Sequence, residues 1–135
     1  MDFDKFAKSA YGDLIQSEVL DYDVDTGTSR MRFVAPEIFC SPRGVLQGGF
    51  VAAFIDDVIG LPVLVKSGAT LLPITLELSI SYLRPVKPGA LIGTARIVKM
   101  GRSVAFLEAE LTDEAGEVLA KATTTASLVP IGDKG

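Results

Sequence analysis

The chain has 135 residues, 48% hydrophobic and 22% charged, with a formal net charge of −4 and no histidine. That length and balance fit a single globular domain spanning residues 1–135, not a disordered chain. A negative chain without a Lys/Arg stripe has no footprint for nucleic acid, and the missing histidines exclude imidazole acid–base chemistry and histidine metal sites. The lone cysteine, Cys40, cannot form an internal disulfide and leaves too few thiolates for a zinc site. A single thiol, and an N-terminus MDFDKFAKSA without the basic-then-apolar layout of a signal peptide, point to a cytoplasmic location.

In chain order, DKFAKSAYGD predicts a short helix with Phe3, Phe6 and Ala7 at helical spacing. Two strands follow between Asp13 and Val34, turned by DVDTGTS. APEIFCSPRG, with Pro36, Pro42 and Gly44, reads as a loop, and Cys40 within it as an inert thiol. A helix is predicted from about Gln47 to Lys66, kinked or thinned at Pro62 and stopped by Ser67-Gly68. The apolar run from Leu46 to Val65 raises the question of a membrane span. Asp56 and Asp57 at its centre would each cost ~2.5–3.5 kcal/mol in a bilayer, and Gly60 and Pro62 interrupt it; the expectation is no membrane span.

Beyond Gly68 the period becomes two. Ile74, Leu76, Leu78, Ile80 and Tyr82 alternate with Thr75, Glu77, Ser79, Ser81 and Leu83, which predicts a long strand with one buried face. Further strands are expected at Leu91–Met100, Ser103–Thr112 and Glu117–Val129, with turns at VKPG, Gly101-Arg102 and DEAGE. The predicted fold is α+β: a curved antiparallel sheet of about six strands around one long central helix, its last four strands a meander. Edge strands need protection, so pairing with a second copy, a homodimer, is expected.

Two adjacent carboxylates inside an apolar run ask for a use, because an unpaired buried charge is costly. The first turn of the helix offers backbone N–H groups and a favourable dipole end, and Gly48 and Gly49 let a ligand approach without a Cβ in the way. Asp56 lies eight residues past Gly48, ~12 Å along the axis at ~1.5 Å per residue. One chain therefore cannot bring both groups to one atom. Two copies with antiparallel helices can, giving two composite sites per dimer.

The segments RGVLQGGFVAAFIDD, TLELSISYLRPVKPG, GRSVAFLEAEL and GEVLAKATTTASL resemble the hotdog-fold acyl-CoA thioesterases of the phenylacetate-degradation type, from about Asp13 to Val129. In that family a His-Gly-Gly triplet opens the helix, a loop Asn precedes it, and an acid follows nine residues after the His. Here the same register reads Gln47-Gly48-Gly49, Ser41 and Asp56. Gln47 keeps a donor and an acceptor but cannot titrate, and Ser41 lacks the amide donors of Asn.

The resemblance implies the Gly48 N–H as oxyanion donor, Asp56 as general base or nucleophile, and Thr75 as the hydroxyl that helps hold the attacking water. It implies an acyl-CoA substrate, neither metal nor other cofactor, and a homodimer or a dimer of dimers. Gln47 is expected to orient the loop or the thioester carbonyl. Arg84 and the pair Arg102-Ser103 are candidates for the CoA phosphates, with Arg43 and Lys87 as further cations. An apolar setting would make Asp56 a stronger base, while Asp57, ~100° round the helix, is expected to cap, pair or face solvent. Because Gln47 and Ser41 depart from the family, a non-catalytic module binding acyl-CoA or an aromatic ligand is the rival reading. Enoyl-thioester hydration is weaker, since that chemistry pairs Asp with His. Aromatic and medium-chain acyl groups both remain open.

Overall fold

A computed structural model describes residues 3–6 and 8–132. The predicted opening helix is divided in two. A 3-10 turn spans Phe3–Phe6 and a five-residue α1 spans Ala10–Leu14, with Ser9 as its N-cap, its hydroxyl accepting the Gly12 N–H at 2.9 Å. Ala7, expected on that helix, lies outside the described residues.

The strands are β1 (Glu18–Asp23), β2 (Thr28–Ala35), β3 (Leu71–Tyr82), β4 (Gly89–Met100), β5 (Val104–Asp113) and β6 (Val118–Pro130). They form one antiparallel sheet in the order β1-β2-β4-β5-β6-β3. The expected four-strand meander is thus corrected: only β4, β5 and β6 follow one another in space. The long helix α2 (Gly48–Lys66) lies between β2 and β3 in the chain and packs against β4, β3, β5 and β2. That crossover carries β3 to the far edge, beside β6, and leaves β4 to pair with β2.

α2 forms where predicted because Val51, Phe54, Ile55, Val58, Ile59 and Leu61 recur at helical spacing and bury against the sheet. Phe54, Ile55 and Val58 have no exposed surface, and burying each such side chain contributes ~1.5–3 kcal/mol. Pro62 removes one backbone donor, yet the helix runs through it to Lys66 and ends at Ser67 and Gly68 as expected. By length and composition this helix could cross a bilayer, but its apolar side chains form the core of the fold.

The two-residue period translates directly in β4 and β5: Leu91, Gly93 and Ala95, then Ala105, Leu107, Ala109 and Leu111, all face inward and are buried. Beneath the helix Gly93 eases a close approach, since a Cβ there would stand 3.1 Å from Val58 and 3.2 Å from Phe33, tighter than ordinary contact.

In β3 the period misleads. The pairing with β6 shifts register between Thr75 and Glu77, so that Thr75 faces Ala126 while Leu78, Ile80 and Tyr82 face Thr124, Ala122 and Ala120. The extra residue of this bulge reverses the phase of the strand. Thr75 therefore joins Leu78, Ile80 and Tyr82 on the helix side. Ile74 lies on the other face, and Ile74 and Leu76 are 46% and 62% exposed. The expected continuous buried face does not exist.

Candidate active site

Along one side of α2 runs an open stripe of Gly49, Ala53, Asp56 and Gly60, bordered by Gly48, Phe50 and Asp57. Asp56 is exposed, and the Thr75 hydroxyl donates to its Oδ1 at 2.7 Å. This contact depends on the β3 bulge, which turns Thr75 toward the helix.

Asp57, the next residue round the helix, is the more buried of the pair and corrects the expectation that it caps, pairs or faces solvent. It lines an open cleft of about 370 Å³ together with Asp56, Phe3 and Tyr11. Burial first, and then the charge of Asp56, push its carboxyl from 3.8 up to about 6. The carboxyl that the apolar setting raises is thus Asp57. Tyr11 responds to the same surroundings: burial, then the charges of Asp57 and Asp56, raise its hydroxyl to about 12.

At the helix tip Gln47 occupies the N-cap position, but its side chain makes no capping hydrogen bond. The N–H groups of Gly48 and Gly49 belong to the first turn, which has no acceptor within the helix. Tyr82, at the end of β3, donates its hydroxyl to the Gly48 carbonyl at 2.7 Å and fixes the tip. A Cβ on Gly48 would meet nothing nearer than the Tyr82 ring at 3.4 Å, and one on Gly49 nothing within 4 Å. Neither has a positive φ. The chain's own packing does not call for glycine here, and the missing side chains leave the backbone of the first turn accessible.

The predicted site residues fall into separate groups. Asp56 and Thr75 meet at mid-helix, while Gln47, Gly48 and Gly49 stand at the tip, eight residues away or ~12 Å along the axis. Ser41 organises its own loop: its N–H donates to the Val45 carbonyl at 2.8 Å and its hydroxyl accepts the Arg43 N–H at 3.3 Å. Arg84 lies beyond the end of β3, at the Tyr82 end of the sheet, and pairs with Glu117 at 3.0 Å. Lys87 lines the same surface hollow as Arg84. Arg102 and Ser103 form the turn between β4 and β5 at the opposite end, where the Ser103 carbonyl accepts the Leu128 N–H at 2.9 Å, and Leu128 faces Pro73. Among the described residues no three His, Cys, Asp or Glu side chains converge as metal ligands.

A family model described as the thioesterase superfamily matches residues 43–120, which contain the helix tip, Asp56, Thr75 and Tyr82. The chain belongs to the thioesterase superfamily. It is 31% identical to human acyl-coenzyme A thioesterase 13 over 63% of its own length and 61% of that protein's. It is 28% identical to a provisionally named esterase of Caenorhabditis elegans over 95% of its own length and 76% of that protein's. The chain thus spans about three fifths of the human relative's length.

A solved structure from Ralstonia eutropha, a phenylacetic acid degradation-related protein provisionally named a thioesterase, is 33% identical. It superposes with a TM-score of 0.81 over 89% of this chain and 90% of that one. The Escherichia coli PaaI protein from the phenylacetic acid degradation operon gives a TM-score of 0.82 over 93% and 88% of the two chains at 14% identity, a likeness of fold. Within this thioesterase-superfamily fold, Tyr82, Asp57 and Tyr11 line or brace the open stripe without having been expected to. Tyr82 carried a signal, a hydroxyl-bearing aromatic closing an aliphatic alternation. Asp57 carried one too, a second carboxylate in an apolar run, and Tyr11 carried none, because it reaches the cleft only through tertiary folding.

Proposed function

We propose that the protein hydrolyses acyl-CoA thioesters to a free acid and CoA, with Asp56 as the base or nucleophile and the Gly48 N–H of a second copy as oxyanion donor. The observation that carries this reading is the Asp56–Thr75 contact in an open groove. With Oδ1 held by Thr75, the other carboxylate oxygen is free to take a proton from water. As the water oxygen bonds to the acyl carbon, charge develops on the carbonyl oxygen, where a first-turn N–H and the helix dipole stabilise it. Collapse breaks the C–S bond, and the proton held by Asp56 passes to the departing sulfur. A thiol has an ordinary pKa of about 8.5, so it leaves without a strong acid. That suits a chain without histidine.

The second copy is supported by the β3 edge. β3 ends the sheet, and the exposed Ile74, Leu76, Tyr82 and Leu83 lie on it or at its end. Such an edge is protected by pairing. A two-fold pairing there with antiparallel α2 helices brings Asp56 of one copy to Gly48 of the other. It also brings the Arg102 end of one sheet to the Arg84 end of the other, giving the CoA phosphates cations from both copies.

Thiol release from a panel of acyl-CoAs tests the reading. Wild type is expected to turn over, and Asp56→Ala to lower kcat/KM by ~10²–10⁴-fold, the usual worth of a positioned base, with thermal stability retained. Equal, slow rates for the two proteins on every substrate would overturn it. Tight acyl-CoA binding without turnover would instead favour the binding-module reading that Gln47 and Ser41 raised.

A further inference from the structure

We infer that the cleft beside Asp56 and Asp57 receives the acyl tail, that Gly60 sets the depth available to it, and that the site therefore selects neutral hydrocarbon tails over tails ending in a carboxylate. This rests on the thioester reading of Asp56. The cleft, about 370 Å³, falls within the size range of small-ligand sites. Its polar side chains are Asp56, Asp57 and Tyr11; Val19, Met31, Leu61, Leu64 and Leu72 are among its apolar walls. Tyr11 also lines the neighbouring hollow formed by Gln47, Gly48, Gly49 and Phe50, so the polar group marks where the two openings meet. Leu64 stands seven residues past Asp57, ~10 Å further along the helix. A tail entering at Asp56 thus runs from the carboxylates toward hydrocarbon.

Gly60 supplies the second observation. Glycine inside a helix is unfavourable relative to alanine. Here neither backbone nor packing asks for it: φ is not positive, and a Cβ would meet only Pro73 Cγ, at an ordinary 3.7 Å. The ring of Pro62 crowds the carbonyl four residues back, at Val58, and leaves position 60 untouched. Gly60 lies one helical turn beyond Asp56 and lines the cleft itself. What its missing side chain leaves is room for a ligand.

The test measures kcat/KM on saturated acyl-CoAs from acetyl to dodecanoyl, and on hexanedioyl-CoA, for wild type, Gly60→Ala and Gly60→Leu. In parallel, calorimetry follows binding of the matching non-hydrolysable S-alkyl-CoA thioethers. In wild type kcat/KM should climb about fourfold per methylene until the cleft is full, and hexanedioyl-CoA should fall roughly a hundredfold below hexanoyl-CoA because its terminal charge is desolvated. Gly60→Leu should end the climb about four carbons earlier, read as a fall in the dodecanoyl-to-acetyl ratio. Gly60→Ala should lower that ratio about fourfold while raising Tm. Unchanged ratios in both variants, or equal use of hexanoyl- and hexanedioyl-CoA, would overturn the inference and leave the thioesterase reading standing. If no acyl-CoA releases thiol, the thioesterase reading fails, and the thioethers still decide: affinity indifferent to chain length or to Gly60→Leu removes the tail cleft as well.

Discussion

On the packed side of α2, Phe54, Ile55 and Val58 are wholly buried, and the strand beneath leaves room for them with Gly93, whose Cβ would stand 3.1 Å from Val58. On the open side, Gly48, Gly49 and Gly60 would carry a Cβ with no neighbour nearer than 3.4 Å. The same residue type serves opposite ends on the two sides. Beneath the helix glycine lets two elements of the chain close on each other. Along the groove it leaves space that the chain itself does not fill. Substitutions on the packed side should therefore act on stability, and those on the open side chiefly on chemistry and selectivity.

The sharpest way to break that contrast is Phe54→Ala, which should cost ~3–5 kcal/mol by deleting a wholly buried ring. Denaturant unfolding checks it, and a variant as stable as wild type would mean that the packed side is not the core. Next is Asp57→Asn, which probes the boundary between the two sides. The folded carboxyl is raised from 3.8 to about 6, so the native state holds its proton more tightly than the unfolded chain and bears the penalty of an ionised group once pH exceeds about 6. Wild type should thus lose up to about 3 kcal/mol, at ~1.4 kcal/mol per pKa unit, as pH rises from about 4 to 7. Asp57→Asn should escape most of that loss, appearing more stable at pH 7 and no more stable at pH 4. A pH-independent difference in melting would dispose of the buried-charge account.

The smallest effect gives the most direct comparison. Gly93→Ala should destabilise by about 1 kcal/mol, because Val58 and Phe33 are wholly buried and must give by a few tenths of an ångström. Gly60→Ala should stabilise by ~0.5–1 kcal/mol, the ordinary helix preference for alanine. Two shifts of like sign would erase the distinction between a packing glycine and an access glycine.

How much of this was legible in advance varies by element. α2 declared itself from about Gln47 to Lys66, since one side of it is apolar at helical spacing and Ser67-Gly68 stops it. β4 and β5 did so too, because both are interior strands with one face under the helix. β3 did not, although its alternation is the most regular in the chain. A bulge at Thr75–Glu77 changes which face each residue takes, and nothing in the local period announces an inserted residue. At the site, the register from Gly48 to Asp56 and Thr75 was readable from spacing and resemblance. The setting of Asp57 and Tyr11 was not, because their shared cleft forms only where the N-terminal segment meets α2.

The amino-acid sequence alone determined where the long helix and the strands lie, that no histidine is available, and that the helix tip and Asp56 stand ~12 Å apart along one helix. These are properties of composition, period and rise per residue, each set by neighbours along the chain. Tertiary structure alone decided the strand order, the reversal of β3, the Thr75 hydroxyl on Asp56 and the cleft that Gly60 leaves open. Those depend on which distant segments meet, and burial, hydrogen bonding and charge take their values only where they do.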